Sequence, residues 1–132
     1  MSAHCLLISA NKMASPYPVY PIGIAHLTGA LLAEGHTVRH VDILADGNTE
    51  GLQTLLSQET FDIIGISIRN IDTVDSSNAI GLLDHIEEVV EIIRTLCQTP
   101  IILGGPGFSI MPGIIVKNTI GKKYISCLML TA

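Results

Sequence analysis

Short apolar segments alternate with longer segments of helical periodicity along this chain. The continuous apolar runs CLLIS (5–9), FDIIGISI (61–68) and PIILGG (100–105) are typical of strands that are buried on both faces. HTVRHVDIL (36–44) mixes polar and apolar residues, which indicates a strand at a sheet edge. KYISCLML (123–130) is a candidate fifth strand.

The segments between these strands have the spacing of amphipathic helices. PIGIAHLTGALLAE (21–34) predicts a helix that ends before Gly35, and NTEGLQTLLSQ (48–58) predicts a shorter one. From residue 78 to residue 97, apolar side chains recur every three or four positions, which predicts a long helix. IMPGIIVKN (110–118) predicts a further short helix.

This alternation predicts an α/β fold, a flavodoxin-like (Rossmann-like) three-layer sandwich with a parallel sheet of five strands in the order 2-1-3-4-5. Residues 1–132 are expected to form a single domain. The sequence stops at LMLTA, so we expect the fifth helix of such a fold to be missing. Apolar strands left uncovered in this way predict self-association through the carboxyl-terminal segment, giving a homo-oligomer.

Composition narrows the classes of function. The chain is 48% hydrophobic and only 14% charged, with a net charge of −5, so it is not disordered. It lacks a basic cluster beyond GKK, which argues against nucleic acid as a partner, and no apolar run approaches the roughly 20 residues that cross a membrane. The three cysteines are far apart and form no C-x-x-C pair, which favours reduced thiols and a cytoplasmic location.

Three loops follow the predicted central strands and should lie at one edge of the sheet: SANKMASPYPVYP (9–21), RNIDTVDSSN (69–78) and GGPGFSIMPG (104–113). Ligands of doubly wound domains bind at this edge, near the switch between strands 1 and 3. A simpler interpretation also stands for each loop, because aspartate and serine cap helices, glycine pairs form tight turns, and prolines stiffen a loop. Paired glycines at a strand end would also let a flat ligand approach the backbone closely.

Several familiar sites of this fold class are absent from the sequence. Ser9 and Ser67 stand where a phosphoacceptor domain would have carboxylates, and no glycine-rich dinucleotide motif or P-loop follows strand 1. Asp42 at the end of strand 2 would suit a ribose, but the glycine loop that goes with such a residue is missing. No histidine is paired with cysteine or carboxylate at metal-ligand spacing among His4, His26, His36, His40 and His85.

As a combination, LLISANKMASPYPVYPIGIAHLTGALLAEGHTVRHVDIL (6–44), FDIIGISIRNIDTVDS (61–76) and PIILGGPGFSIMP (100–112) resemble one family. It is the cobalamin-binding domain that precedes the catalytic barrel in many radical S-adenosylmethionine (SAM) enzymes. The likeness covers about residues 4–112. It implies a corrin ring lying across the carboxyl ends of the strands and a nucleotide tail running between the sheet and the helices.

The resemblance also implies roles for individual residues. Ser67 matches the small hydroxyl residue that faces the tail, Arg69 and Asn70 fall where the loop meets the corrin, and Gly104 and Gly105 match the glycines beside which the tail passes. The predicted cofactor-binding residues are Ser67, Ile68, Arg69, Asn70, Gly104, Gly105, Pro106 and Gly107.

Two departures from related families limit what the resemblance implies. D-x-H-x-x-G is absent after strand 1, so cobalamin would bind without a protein histidine on cobalt, and the only metal would be the cofactor's own. C-x-x-x-C-x-x-C is absent, so no iron–sulfur cluster is held here and this chain alone would not be catalytic. We therefore expect a cobalamin-binding fragment of a larger radical SAM protein, or a carrier that works with a radical SAM catalytic domain. The alternatives are a truncated domain that binds nothing and a doubly wound domain for flavin or a nucleotide.

Overall fold

The computed structural model describes residues 2–10, 21–68, 79–105 and 125–127, of which residues 79–85 and 125–127 are described by their backbone alone. In chain order the elements are β1 (His4–Ser9), α1 (Ile22–Ala33), β2 (Thr37–Asp42), α2 (Ile43–Asp46), α3 (Glu50–Gln58), β3 (Ile63–Ser67), α4 (Ala79–Leu96), β4 (Ile101–Gly104) and β5 (Ile125–Cys127). The predicted helix at 110–118 and the predicted absence of a fifth helix concern residues outside this set, and both remain predictions.

The strands form one parallel sheet in the order β2-β1-β3-β4-β5, in which β5 contributes only three residues. The predicted α/β fold with a parallel sheet is confirmed. The mixed-polarity strand β2 lies at an edge of the sheet. Polar side chains are tolerated there because the faces of the strand are not both covered. In the part of the chain that is described, no helix is long and apolar enough to cross a membrane.

One face of the sheet carries the hydrophobic core, and we call it the core face. Because side chains alternate along a strand, the core face receives every second residue of each strand. It packs against Leu52 and Leu56 of α3 and against Val89, Val90 and Ile93 of α4. The strand residues of the core face that are 2% exposed or less are Leu6, Ile8, Ile64, Ile66, Ile101 and Leu103.

The opposite face is here called the open face. Its residues on β1, β3 and β4 are Cys5, Leu7, Ser9, Ile63, Gly65, Ser67, Ile102 and Gly104, and Asp42 of β2 shares this face through its pairing with Ser9. The strands that make substantial contacts with helix α1 are β1 and β2. Ile24 of α1 is buried. Gly65, Ser67 and Ile102 are therefore only half-buried. Helix α1 contains no charged residue, and its Ile22 and Leu32 side chains are 64% and 54% exposed. The two faces thus differ. The core face is covered by large apolar side chains, whereas the open face includes small residues and is partly exposed.

Strand β2 ends earlier than the apolar pattern predicted. The Asp42 carboxylate accepts hydrogen bonds from the backbone N–H groups of Leu44, at 3.1 Å, and Ala45, at 3.3 Å. These bonds cap the short helix α2, which closes at Gly47 with a φ of +78°. The prediction of a strand through residue 44 was wrong at its end, because a side-chain cap turned the backbone into a helix.

A polar cluster joins the strands at their amino-terminal edge, remote from the loops singled out above. The His4 ring lies 2.6 Å from Thr37 Oγ1 and 2.8 Å from Glu59 Oε2, and it stacks on Phe61 with a centroid distance of 4.6 Å. Arg39 forms an ion pair with Glu59 at 2.9 Å. The hydrogen bond from His4, followed by that from Arg39, lowers the pKa of Glu59 below its ordinary value. This cluster ties β1 and β2 to the segment that leads into β3.

Candidate functional site

The last residues of four neighbouring strands form a row across the sheet. In register from the edge inward they are Asp42, Ser9, Ser67 and Gly104. Because partners in a parallel sheet face the same side, all four belong to the open face. Asp42 is occupied in capping α2, so the residues left to meet a ligand are small: two serines and a glycine.

Strand pairing continues one residue beyond this row and fixes its geometry. The Ala10 N–H donates to the Ser67 carbonyl at 3.2 Å, and the Ile68 N–H donates to the Gly104 carbonyl at 2.8 Å. These bonds hold the ends of β1, β3 and β4 in fixed positions. A ligand at this edge would therefore meet a preformed surface.

Gly105 has a backbone conformation and surroundings that only glycine tolerates. Its φ is +100°, in the region that side chains disfavour. A Cβ atom at this position would lie 2.6 Å from the Ile68 carbonyl oxygen, 2.9 Å from the Ile68 nitrogen and 2.9 Å from Ser67 Oγ. The sequence suggested that a ligand needs this glycine; the structure shows that the neighbouring strand end needs it as well, and that the bare Cα leaves Ser67 Oγ uncovered.

Two hydroxyl groups lie side by side on the open face without a partner in the described structure. Ser9 is 7% exposed, and Ser67 is half-buried. Within the described ranges, neither hydroxyl makes a hydrogen bond. A buried hydroxyl without a partner is costly, so a group outside these residues is expected to supply the bond. Ser9 was not among the predicted site residues; its position at the end of a buried strand, like that of Ser67, is the signal that could have identified it.

Below these hydroxyls the open face stays flat. Gly65 lies two residues before Ser67 on β3, and a Cβ atom there would meet Leu7 Cδ2 at 3.0 Å. Two residues before Leu7 on β1, burial raises the pKa of the Cys5 thiol, and the charge of Asp62 adds to the effect. We call Ser9, Gly65, Ser67 and Gly104 the small-residue strip; it lies on the open face, the face that also carries α1.

The predicted site residues divide into two groups. Ser67, Gly104 and Gly105 come together at the ends of β3 and β4, as described above. Ile68 is adjacent, but its side chain is 2% exposed and belongs to the hydrophobic core, which leaves only its backbone at the site. The remaining predicted residues lie outside the described part of the chain; they are Arg69, Asn70, Pro106 and Gly107.

Fold and site together define a class of protein. The parallel sheet with helices on both faces is that of a doubly wound domain, a class whose ligands bind at the carboxyl ends of the strands, near the switch between strands 1 and 3. Comparison with known families identifies the particular one. The chain matches the family model of the B12 binding domain over residues 9–127, and it belongs to that family.

Known proteins similar to this chain include methyltransferases. The chain is 30% identical over 120 residues to tryptophan 2-C-methyltransferase from Streptomyces laurentii, a match that covers 89% of this chain and 20% of that protein. It superposes with a TM-score of 0.75 and 29% identity on the radical SAM methyltransferase TsrM from Kitasatospora setae with cobalamin and a [4Fe-4S] cluster bound, covering 90% of this chain and 21% of that one. A TsrM structure with tryptophan and a SAM analogue gives 0.73 and 29%, covering 88% and 22%. The chain thus spans about a fifth of the length of these relatives.

Proposed function

We propose that this chain binds cobalamin, with the nucleotide tail over the small-residue strip and the corrin across the carboxyl ends of the strands. The observation that carries the proposal is the buried Ser9 hydroxyl, which has no hydrogen-bond partner among the described residues and lies beside Ser67, next to Gly65 and Gly104. Small residues on a sheet leave room for a slender group with polar atoms. The tail of cobalamin, made of a base, a ribose and a phosphate, is such a group. Membership of the B12 binding domain family supports the same ligand.

The chain's own residues would bind and orient the cofactor. Ser67 would hydrogen-bond the tail, Gly65 and Gly104 would let it lie close to the backbone, and Gly105 would keep Ser67 Oγ accessible. Arg69, Asn70, Pro106 and Gly107, with the Ile68 backbone, are proposed to line the corrin. When bound, cobalamin would supply the cobalt centre, held without a histidine ligand from the protein.

We further propose that the chain acts as the cobalamin-binding part of a radical SAM protein. Its relatives support this, since each is a radical SAM or tryptophan methyltransferase about five times as long as the matched region. The iron–sulfur cluster and the methyl-transfer reaction would then belong to a separate catalytic domain. A flavodoxin-like arrangement in the order 2-1-3-4-5 and a cytoplasmic location complete this proposal.

Self-association through the carboxyl-terminal segment is a separate proposal. It rests on the apolar segment YISCLML at residues 124–130, of which Ile125–Cys127 forms the strand β5. Analytical ultracentrifugation at micromolar concentration tests it. A species heavier than the 14.1 kDa chain supports the proposal, and a monomer contradicts it.

Cobalamin binding is tested directly by mixing the protein with hydroxocobalamin and desalting. We expect retention of the coloured cofactor at about one equivalent. Ser67→Val should lose most of this retention, because it removes the hydroxyl and adds bulk above the strip. Ile63→Val is the matched control. Ile63 is half-buried and lies on the same face of β3 as Ser67, four residues before it, and this change should leave retention intact.

Two outcomes would contradict the proposal. Colourless protein with a folded circular dichroism spectrum would indicate a domain that keeps the fold without binding. Retention of flavin or a nucleotide in place of cobalamin would indicate the other class of doubly wound domain.

A further inference from the structure

We infer that the Ser9 hydroxyl is a second hydrogen-bonding group for the nucleotide tail of cobalamin, acting beside Ser67. This inference rests on the proposed function and adds to it a residue on a different strand. It would make Ser9 a positioning residue for the tail, which is the part of the cofactor that lies below the corrin plane.

The placement of the two serines supports a shared ligand. Ser9 and Ser67 are partners in the register of β1 and β3, and both are the last residues of their strands. Neighbouring strands lie about 4.8 Å apart, and paired residues of a parallel sheet face the same side. Two hydroxyls at this separation can contact adjacent polar atoms of one group, such as a ribose and its phosphate.

The environment of Ser9 supports a ligand and not a structural role. The side chain is 7% exposed, and its hydroxyl bonds to none of the residues described. An alanine would fit the same place in the strand without leaving a buried polar group unpaired. A serine there weakens the ligand-free protein unless a partner arrives, and a hydroxyl that both donates and accepts suits the mixed polar atoms of a nucleotide.

The test compares the affinities of the Ser9→Ala and Ser57→Ala variants for two ligands. Ser57 is the matched control because its hydroxyl lies on the exposed side of α3 and bonds the Gln53 carbonyl at 2.8 Å. The ligands are hydroxocobalamin and cobinamide, a corrinoid that lacks the nucleotide tail. Affinity for each is measured by spectrophotometric titration, and the thermal midpoint of the ligand-free variants is measured in parallel.

We expect Ser9→Ala to weaken cobalamin binding by about 3-fold to 10-fold, the range for one lost hydrogen bond, and to leave cobinamide affinity unchanged. The thermal midpoint of ligand-free Ser9→Ala should equal or exceed that of the unmodified protein, because an unpaired hydroxyl has been removed. Ser57→Ala should change neither affinity.

Three results would overturn the inference. They are an unchanged cobalamin affinity in Ser9→Ala, equal losses for cobalamin and cobinamide, and a lower thermal midpoint than Ser57→Ala, which would show that Ser9 has a partner within the chain. These results are distinguishable from failure of the proposed function, because in that case the unmodified protein would bind neither corrinoid.

Discussion

Replacing Gly105 by alanine tests the close contact between the ends of β3 and β4. An alanine at a φ of +100° pays for a left-handed backbone, about 1–2 kcal/mol. Its Cβ would also lie 2.6 Å from the Ile68 carbonyl oxygen, and separating two backbone segments adds about 1–3 kcal/mol, as overpacking does elsewhere. We therefore expect Gly105→Ala to lower the free energy of unfolding by about 2–5 kcal/mol, a large share of the roughly 5–15 kcal/mol typical of a domain.

Gly35→Ala is the matched control for this prediction. Gly35 has a φ of +87°, but no atom lies within 4 Å of the position its Cβ would occupy. Only the backbone cost of about 1–2 kcal/mol applies there. Urea denaturation measures both variants, with the midpoint compared at unchanged slope. If Gly105→Ala is no less stable than Gly35→Ala, the close contact with Ile68 does not exist as described.

Three further predictions concern groups away from the strand ends. The hydrogen bond from His4 lowers the pKa of Glu59. The stability that ionised Glu59 contributes should therefore be complete above the ordinary glutamate pKa and disappear as the pH falls through the lowered pKa. Glu59→Gln should remove this contribution to the acid dependence of the urea midpoint. Cys5 should resist alkylation in the folded protein, because it is buried and its pKa is raised, whereas the half-buried Cys97 should react before Cys5, as mass spectrometry can show. Gly29→Ala should raise the free energy of unfolding by about 0.5–1 kcal/mol, since this helical glycine has open space around it, and an unchanged urea midpoint would contradict this.

How far the sequence predicted the structure depended on the range of the interactions involved. The strands CLLIS and FDIIGISI were evident because each is a short continuous apolar run. The end of β2 was missed because two hydrogen bonds to Asp42 outweigh the apolar pattern that follows it. The site was harder: the glycine pair at 104–105 was recognised as special, but its contact with Ile68, and the pairing of Ser9 with Ser67, depend on strand register, which joins residues far apart in the chain.

The contrast between the two faces of the sheet has a consequence for how this protein tolerates mutation. Along β3, Ile64 and Ile66 are buried in the core, while Gly65 and Ser67 lie on the open face. In a saturation library sorted once for folded protein and once for bound cobalamin, folding defects should concentrate at the isoleucines and binding defects at the residues between them. Adjacent residues of a single strand would then be under different selection, and ligand preference could diverge among descendants of this sequence while their fold stayed the same.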